Sequence, residues 1–572
     1  MSIDIETYRL KAQEAIEYVF VKEYHNSLGI PMPIVKMLLP DDANYSTGQY
    51  YITIDKTWQI HLNFGKLPIS YHEFQNEVKV LTRHEIEHYM CCPFDVITHF
   101  RMLKRIRDVY YKHFSHLGIN IEYACGAISN QAADIIVDTK NYYRHSKETL
   151  KSEIDWIKIG ANISACPRHC KLMFLTKEAI WKEDLGINET DPEFLKIVHQ
   201  LADSFTKNGI EDKSSFLDKV EEYAEIFFKL YVEDQKNPQQ SSQQGSQQQS
   251  GQQGPQQQSG QQGSQQQSGQ WGVGRPKDGD EHGNAFVFAD PDKVKEAIEV
   301  LAEETSVEEF IDLLAIAGII GMSDKQKGVL WFNVQSANII PIVEFSNTGN
   351  KSSYTHPSVW RIGDPIEELD LMLTYMTSPR LIPGMTTKKW GYVSNDDNGT
   401  ESKQMDLLLV VDTSGSMGSA MKESANMHQA VLASYGILSY FESTKSKVAF
   451  IGFSDKIDAY VDWSDKYDDV RERLLTNGHG GTKFPISRIK STLDVRSRDL
   501  VTVLITNGDL GNINESVSYF RDYLNDDNKL YIFLLGGSKS LHSYEPLKNI
   551  GAKIYNANNA NEFCDMVLTD ME

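Results

Sequence analysis

Hydrophobic and polar residues alternate with two different periods along the N-terminal half of this chain. Apolar residues at helical spacing between Tyr8 and Val19 predict an opening helix. In 50–54 and 58–64, apolar and polar residues largely alternate between turn-forming residues, which is typical of half-buried strands. After Ser70 the helical period returns and continues to about residue 232. The N-terminal half is therefore predicted to be mainly helical, with a small sheet.

A different order begins at Asp406, where short apolar segments alternate with helical ones. The predicted strands are DLLLVVD, KVAFIGF, LVTVLIT, KLYIFLL and AKIYNA, and helices are predicted near 420–440, 467–475, 483–492, 513–525 and 543–550. Apolar strands separated by helices indicate a parallel sheet that is covered on both faces. Ligands of such sheets bind at the carboxyl ends of the strands, so polar residues that follow a strand are the candidates for function.

The composition changes abruptly between these two halves. From Asn237 to Gln270 the chain is almost entirely Gln, Ser and Gly, with a nine-residue repeat of the type QQGSQQQSG. Such a segment has no residues with which to build a core, so it is predicted to be a flexible tether. The predicted organisation is a domain over 1–235, a disordered linker over 236–282, a helical and irregular connecting region over 283–403 and a domain over 404–572.

Charge and cysteine content narrow the classes of function. Lys and Arg number 57 against 79 Asp and Glu, and the net charge of -22 argues against a protein that coats nucleic acid or an anionic membrane, since such partners need a basic surface. Six cysteines in 572 residues do not form a disulfide framework. No secretory signal is visible, and the longest apolar stretches are about half the ~20 residues that cross a bilayer. We expect a cytoplasmic protein that binds neither nucleic acid nor membrane.

Residues 84–88 read HEIEH, an H-E-x-x-H motif in a helical setting. Residues four apart lie on one face of a helix, so His84 and His88 can face a single metal ion. Zinc bound by two histidines takes a third protein ligand and leaves one position for water, whose pKa it brings toward ~7. Glu85 would then accept the proton of that water and return it to a leaving amine. A polar surface helix with coincidental histidine spacing is the alternative.

A second helical pattern follows, in which Asp134 and Asp138 are also four apart. The pair of segments resembles the gluzincin zinc metallopeptidases, in which H-E-x-x-H is followed on another helix by E-x-x-x-D. The resemblance covers about 50–145 and implies that Asp134 is the third zinc ligand. It also implies that Asp138 orients His84 by a hydrogen bond on the side of the ring that faces away from the zinc. Aspartate at position 134 replaces the glutamate of the family, and its shorter side chain requires a closer approach of the two helices.

The resemblance leaves several roles open. His99 and Asp95 are weaker candidates for the third ligand. Tyr123, Tyr142, Tyr143 and His145 are candidates for stabilising the oxyanion. The strand at 58–64 precedes the motif helix as the substrate-lining edge strand does in such peptidases, so an extended peptide could add to its edge.

Four cysteines offer a further metal site. Cys91, Cys92, Cys166 and Cys170 could together bind a second, structural zinc ion. The chain lacks a second clean C-x-x-C pair, and free cysteine is among the most buried residue types. Buried thiols are therefore the favoured interpretation.

The first strand of the C-terminal half ends in Asp412, with Ser414 and Ser416 at alternate positions after it. Small oxygen-bearing side chains on a tight turn suit a hard cation such as Mg²⁺, and a serine-rich helix cap is the alternative. With Gly-Gly-Thr ending at Thr482 and the turn that contains Asn507, the pattern over about 404–570 looks like a von Willebrand factor A domain.

That resemblance implies a metal-ion-dependent adhesion site. Its Mg²⁺ or Mn²⁺ ligands would be Asp412, Ser414, Ser416, Thr482, Asn507 and Asp509. Asn507 stands where the family usually has an aspartate, and Asp509 could compensate for the missing charge through water. The open position of such a metal accepts a carboxylate of a protein partner, so this domain would dock and not catalyse.

The combination resembles bacterial and phage metallopeptidase-like proteins that accompany MoxR-type AAA+ ATPases. It implies a multidomain protein with a zincin-like α+β domain and a doubly wound, Rossmann-like α/β domain. We expect a zinc metallopeptidase for protein substrates whose C-terminal domain docks an AAA+ ATPase or another partner, over a tether spanning roughly 30–40 Å. The alternatives are a non-catalytic assembly factor for such an ATPase, with a structural or vestigial zinc site, and a purely adhesive protein.

Overall fold

Residue contacts divide the chain into two units in this computed structural model. The first unit takes Met1–Thr305 and Glu309–Met322, and the second takes Ser306–Glu308 and Ser323–Glu572. The structure describes residues 5–42, 50–54, 58–64, 70–159, 163–236, 291–319, 321–339, 358–359, 369–370, 388–389, 405–496, 499–508, 510–526, 528–536 and 541–557. The predicted linker, apart from Lys236, lies outside these ranges, and so does Asp509.

The first unit is mainly helical, as its periodicity predicts. Its helices are α1 (Ile5–Glu17), α2 (Tyr71–Met90), α3 (Val96–Val109), α4 (Ile121–Ile159), α5 (Arg168–Trp181), α6 (Pro192–Thr206), α7 (Phe216–Lys236), α8 (Pro291–Glu304) and most of α9 (Val307–Ile316). Ser70 caps α2 by accepting a hydrogen bond from the amide of Glu73. Helix α4 is 39 residues long and bends at His145, where the backbone leaves the helical region.

A three-stranded sheet packs beside α1 and α2. Strand β3 (Gln59–Phe64) is its central strand, parallel to β1 (Ile34–Met37) and antiparallel to β2 (Tyr50–Ile54). The expectation that this strand forms an edge is therefore wrong, because segment 34–37, which the pattern did not mark as a strand, covers its second side. Ile60 and Leu62 of β3 are fully buried in the core that the sheet shares with α1 and α2.

Helix α8 packs on α3 within the first unit. Arg107 of α3 binds Glu309 and Asp312 of α9, at 3.2 and 2.7 Å, and Arg101 pairs with Glu304 at the end of α8. Helices α7 and α8, which flank the predicted linker, thus both belong to this unit.

The second unit is an α/β structure, in line with the predicted alternation. Its elements are α10 (Asp324–Ile339), β4 (Ser358–Val359), β5 (Leu369–Asp370), β6 (Lys388–Lys389), β7 (Asp406–Asp412), α11 (Asn426–Ser443), β8 (Val448–Phe453), β9 (Ile457–Ser464), α12 (Tyr467–Leu474), α13 (Ile486–Leu493), β10 (Leu500–Thr506), α14 (Val517–Asn525), β11 (Lys529–Leu535), α15 (Leu541–Lys548) and β12 (Lys553–Ala557). Helix α10 packs on α11. The described helices of both units include none that is long and apolar enough to cross a membrane.

Six of these strands form one sheet in the order β12-β11-β10-β7-β8-β9. All neighbours are parallel except β8 and β9. Every residue of β7, β8 and β10 is buried, so both faces of the sheet are covered, as predicted. The antiparallel edge strand β9 was not predicted, although its sequence IDAYVDWS alternates in the way that is typical of a half-exposed strand.

Candidate metal centre and strand-end cluster

Three predicted ligands meet between α2 and α4. The Nε2 atoms of His84 and His88 are 3.1 Å apart, and Oδ1 of Asp134 lies 3.4 Å from the first and 3.1 Å from the second. Two ligands at the zinc distance in a tetrahedral site are about 3.3 Å apart, so the triangle has the size that a zinc ion requires. Among the described residues, these three form the group of His, Cys, Asp and Glu side chains that could hold a metal ion.

Hydrogen bonds behind the imidazoles determine where their lone pairs point. Nδ1 of His84 donates to Oδ1 of Asp138 at 2.6 Å, and Nδ1 of His88 donates to the carbonyl of Cys92 at 2.9 Å. A proton on each Nδ1 leaves each Nε2 as an acceptor that faces Asp134. The arrangement thus collects two nitrogen lone pairs and one carboxylate oxygen at a single buried point.

The electrostatics of this point favour a positive charge. With both imidazoles neutral, Oδ1 of Asp134 is a buried oxygen without a hydrogen bond. Burial lowers the pKa of His88, but the hydrogen bond and charge of Asp134, with the charge of Glu85, outweigh burial and raise that pKa to about 9. Burial likewise opposes ionisation of Asp134, yet the two histidines hold its pKa below the ordinary value. A bound cation would satisfy the same oxygen, so the residues fit a divalent metal.

The two glutamates of the motif have different surroundings. Glu85 is buried, and its charge contributes to the raised pKa of His88. Glu87 is fully buried and binds Lys140 and Arg144 of α4, at 2.8 and 3.1 Å. Tyr24 also donates a hydrogen bond to it at 2.9 Å. Glu87 therefore joins α2 to α4 through ion pairs and not through the metal centre.

The residues considered as alternative third ligands or as oxyanion stabilisers have other surroundings. Asp95 caps α3 by accepting a hydrogen bond from the amide of Thr98, at 2.7 Å. His99 is buried on α3. Tyr142 donates to Glu183, and the side chain of Tyr143 is exposed.

The two remaining oxyanion candidates also lie on α4. His145 is at the bend of this helix, 3.8 Å from Glu23. Tyr123 is in its first turn, about 16 Å along the axis from Asp134 at 1.5 Å per residue.

Two buried residues near the centre were missed by the sequence analysis. Tyr223 of α7 donates a hydrogen bond to Gln131 at 2.9 Å, and burial together with the charge of Asp134 raises its pKa. Lys177 of α5 binds Asp138. Neither residue belongs to a spacing motif, so only a general expectation that buried charges are paired could have drawn attention to the lysine.

The four cysteines match the favoured interpretation of buried thiols better than a metal site. Burial is the largest cause that raises the pKa of Cys91 to about 11 and that of Cys170 to about 12. Cys92 is fully buried with a raised pKa, and Cys166 is partly buried. Metals bind thiolates, and these environments favour the protonated thiol.

Polar side chains from β7 and β10 meet at the carboxyl edge of the large sheet. Oδ1 of Asp412 accepts from the amide of Ser414 at 2.8 Å, and Oδ2 accepts from the hydroxyl of Thr506 at 2.6 Å. The hydroxyls of Ser414 and Ser416 are 3.1 Å apart. The side chain of Asn507 accepts from the Ser416 hydroxyl at 3.0 Å and donates to its carbonyl at 2.8 Å. The structure therefore brings together four of the six residues predicted for this site.

The other two residues predicted for this site are Thr482 and Asp509. Thr482 is partly buried and follows Gly480, whose carbonyl accepts a hydrogen bond from the amide of Gly415. Asp509 lies outside the described residues. The described part of the cluster thus offers one carboxylate, two hydroxyls and one amide oxygen, which are hard ligands of low total charge.

Comparisons with known proteins give little further information. No family model matches the chain, and no curated protein matches it. Solved structures that resemble part of it include the conserved hypothetical protein BatB from Bacteroides thetaiotaomicron, with 12% identity, a TM-score of 0.26 and coverage of 29% of this chain and 97% of that one. An uncharacterized membrane spanning protein from Vibrio fischeri has 18% identity, a TM-score of 0.13 and coverage of 29% and 96%. Neither likeness is close enough to carry an argument.

Proposed function

We propose that the first unit is a gluzincin-like zinc metallopeptidase for protein substrates. The observation that carries the proposal is the triangle of His84, His88 and Asp134, whose sides of 3.1, 3.1 and 3.4 Å suit a tetrahedral zinc ion. A zinc ion bound there would act as a Lewis acid and lower the pKa of a coordinated water.

The residues around the triangle have separate roles in this proposal. Asp138 and the Cys92 carbonyl hold the two imidazoles in the tautomer that presents Nε2. Glu85 follows His84 directly in the chain, and its negative charge contributes to the raised pKa of His88. It accepts the proton of the attacking water and passes it to the leaving amine.

The test compares metal content with cleavage. We expect purified protein to hold one zinc ion per chain and to cleave members of a peptide mixture, as measured by elemental analysis and mass spectrometry. Glu85→Gln should keep the zinc and reduce cleavage by at least ~100-fold, because it removes the base and leaves the ligands intact. His84→Ala should lose both.

Two results would contradict the peptidase proposal. Unchanged cleavage by Glu85→Gln would exclude this residue as the base. Stoichiometric zinc without cleavage of any peptide or partner protein would favour the alternative, a non-catalytic assembly factor with a structural zinc site.

For the second unit, we propose that the cluster of Asp412, Ser414, Ser416 and Asn507 holds Mg²⁺ or Mn²⁺ and docks a protein partner through a carboxylate, as in von Willebrand factor A domains. A MoxR-type AAA+ ATPase is the proposed partner. Support comes from the position of these oxygens at the carboxyl ends of adjacent parallel strands, where ligands of such sheets bind.

The docking proposal is tested by capture of a purified MoxR-type AAA+ ATPase on immobilised protein. Asp412→Ala and chelation with EDTA should each abolish capture. Asp522→Ala, which changes an exposed aspartate on α14, is the matched control and should capture normally. Capture that survives both Asp412→Ala and EDTA would exclude a metal-bridged dock.

A further inference from the structure

Helix α5 contributes a fully buried lysine beside the metal centre. The side chain of Lys177 is 2% exposed, and its Nζ donates to Oδ2 of Asp138 and, at 3.0 Å, to Oε1 of Glu153. The ring of Phe174, one turn earlier on α5, lies 5.6 Å from Nζ. Every one of these contacts is inside the first unit, so the lysine is held between α4 and α5.

The carboxylate of Asp138 is shared between the lysine and the metal ligand. Its Oδ1 accepts the Nδ1 proton of His84, and its Oδ2 accepts from Lys177. A chain of two contacts therefore runs from Nζ through one carboxylate to the imidazole whose Nε2 faces Asp134.

We propose that Lys177 is a positioning residue of the metal centre, which holds the carboxylate of Asp138 in the orientation in which His84 presents Nε2 to a bound ion. The inference rests on the proposed zinc site and adds a residue to it. The lysine acts through Asp138 and does not touch the ion.

The buried ammonium group links two carboxylates of α4. Asp138 and Glu153 both accept hydrogen bonds from Nζ of Lys177, and the lysine and Asp138 are buried. Without the contact to Nζ, Oδ2 of Asp138 would lose the hydrogen bond that fixes the carboxylate, and the imidazole of His84 would be held less firmly in its orientation.

A structural ion pair would look similar but would behave differently. Lys171 lies on the same helix, is also buried, and pairs with Glu189 at 2.9 Å. It therefore serves as a matched control for the loss of a buried lysine without loss of the contact to Asp138.

The experiment measures the affinity for zinc in competition with a chromogenic chelator, together with urea unfolding of the metal-free protein. We expect Lys177→Met to weaken zinc binding by about 10- to 100-fold, the range found when partners behind metal ligands are removed. Lys171→Met should keep the affinity of the unmodified protein even if it lowers stability. Lys177→Arg should recover part of the loss, because it restores the positive charge.

A double-mutant cycle tests the route through Asp138. Asp138→Asn should weaken zinc binding by itself, and adding Lys177→Met to it should change the affinity by less than about threefold, since the contact is already lost. Additive losses would overturn the proposed route. If Lys177→Met does not fold, Lys177→Met with Glu153→Gln takes its place, because it also removes the charge of one carboxylate that Lys177 contacts.

The outcomes separate the two proposals. Zinc affinity of Lys177→Met equal to that of the unmodified protein would overturn the role of Lys177 and leave the zinc site in place. An unmodified protein that binds no zinc would overturn the proposed function and the inference with it.

Discussion

Glu85 and Glu87 illustrate what a motif says about single residues. The spacing H-E-x-x-H predicts that Glu85 lies near a metal, but it says nothing of Glu87, which is the more deeply buried of the two. The partners of Glu87 lie more than fifty residues away on α4, or in the segment after α1, and no local pattern relates them to the motif. The two histidines were predictable because helical geometry places them on one face, and Asp134 was predictable from the resemblance to the gluzincins. The ion pairs of Glu87 were not predictable.

Glu87→Gln is expected to lower the free energy of unfolding by about 3–5 kcal/mol, because it leaves Lys140 buried without its full counter-charge. Zinc content should remain at one ion per chain if the metal centre is independent of this ion pair. Urea unfolding and elemental analysis measure the two effects. Glu225→Gln, at an exposed position of α7, is the control and should change stability by less than about 0.5 kcal/mol.

The buried thiols give a prediction on reactivity. Because burial raises the pKa of Cys91 to about 11 and that of Cys170 to about 12, both thiols stay protonated at pH 8 and should react slowly with iodoacetamide in the folded protein. In 6 M urea both should react at the rate of an ordinary cysteine. Mass spectrometry locates the modified residues, and rapid labelling of Cys91 or Cys170 without urea would contradict the described burial.

At the scale of elements, periodicity predicted the helices well and the sheets incompletely. The helices around the centre and the five parallel strands of the large sheet follow from their own sequence patterns. The order of strands in a sheet depends on pairing between distant segments, so the central position of β3 and the edge strand β9 did not follow from those patterns. Substitutions in the sheet of β1, β2 and β3 therefore test the order of its strands.

Leu62→Ala in β3 is expected to lower stability by about 2–5 kcal/mol, because Leu62 is fully buried in the core beneath the sheet. Ile34→Ala in β1 removes a side chain that is 67% exposed and should change stability by less than about 0.5 kcal/mol. Urea unfolding of the two variants provides the comparison. Similar losses in both would argue against β3 as the central strand.

At the scale of the whole molecule, the packing of α8 and most of α9 within the first unit could not be predicted. The sequence predicts helical structure within the connecting region 283–403, but it does not say on which unit that structure packs. In the structure, Leu301 and Phe310 are buried, and Arg107 of α3 holds α9 by two ion pairs. Those partners are about two hundred residues apart in sequence.

A protease site inserted at Pro255 tests this arrangement. After cleavage, the two fragments on either side of the inserted site should still elute together in size-exclusion chromatography, since α8 and α9 remain packed on the first fragment. Arg101→Ala with Arg107→Ala should shift the cleaved protein toward separate fragments, and so should 1 M salt, because the ion pairs are partly exposed. Immediate separation of the unmodified fragments in low salt would show that α8 does not hold them.

The placement of α7 and α8 in one unit also changes what the Gln-rich repeats can do. A segment with both ends on the same body is a closed loop, so adding or deleting a nine-residue repeat does not alter the distance over which the two units are linked. Its length enters only through loop-closure entropy, which costs about 0.6 kcal/mol for each doubling. The number of repeats can therefore change at almost no cost to folding, and the covalent path between the two units does not run through the repeats.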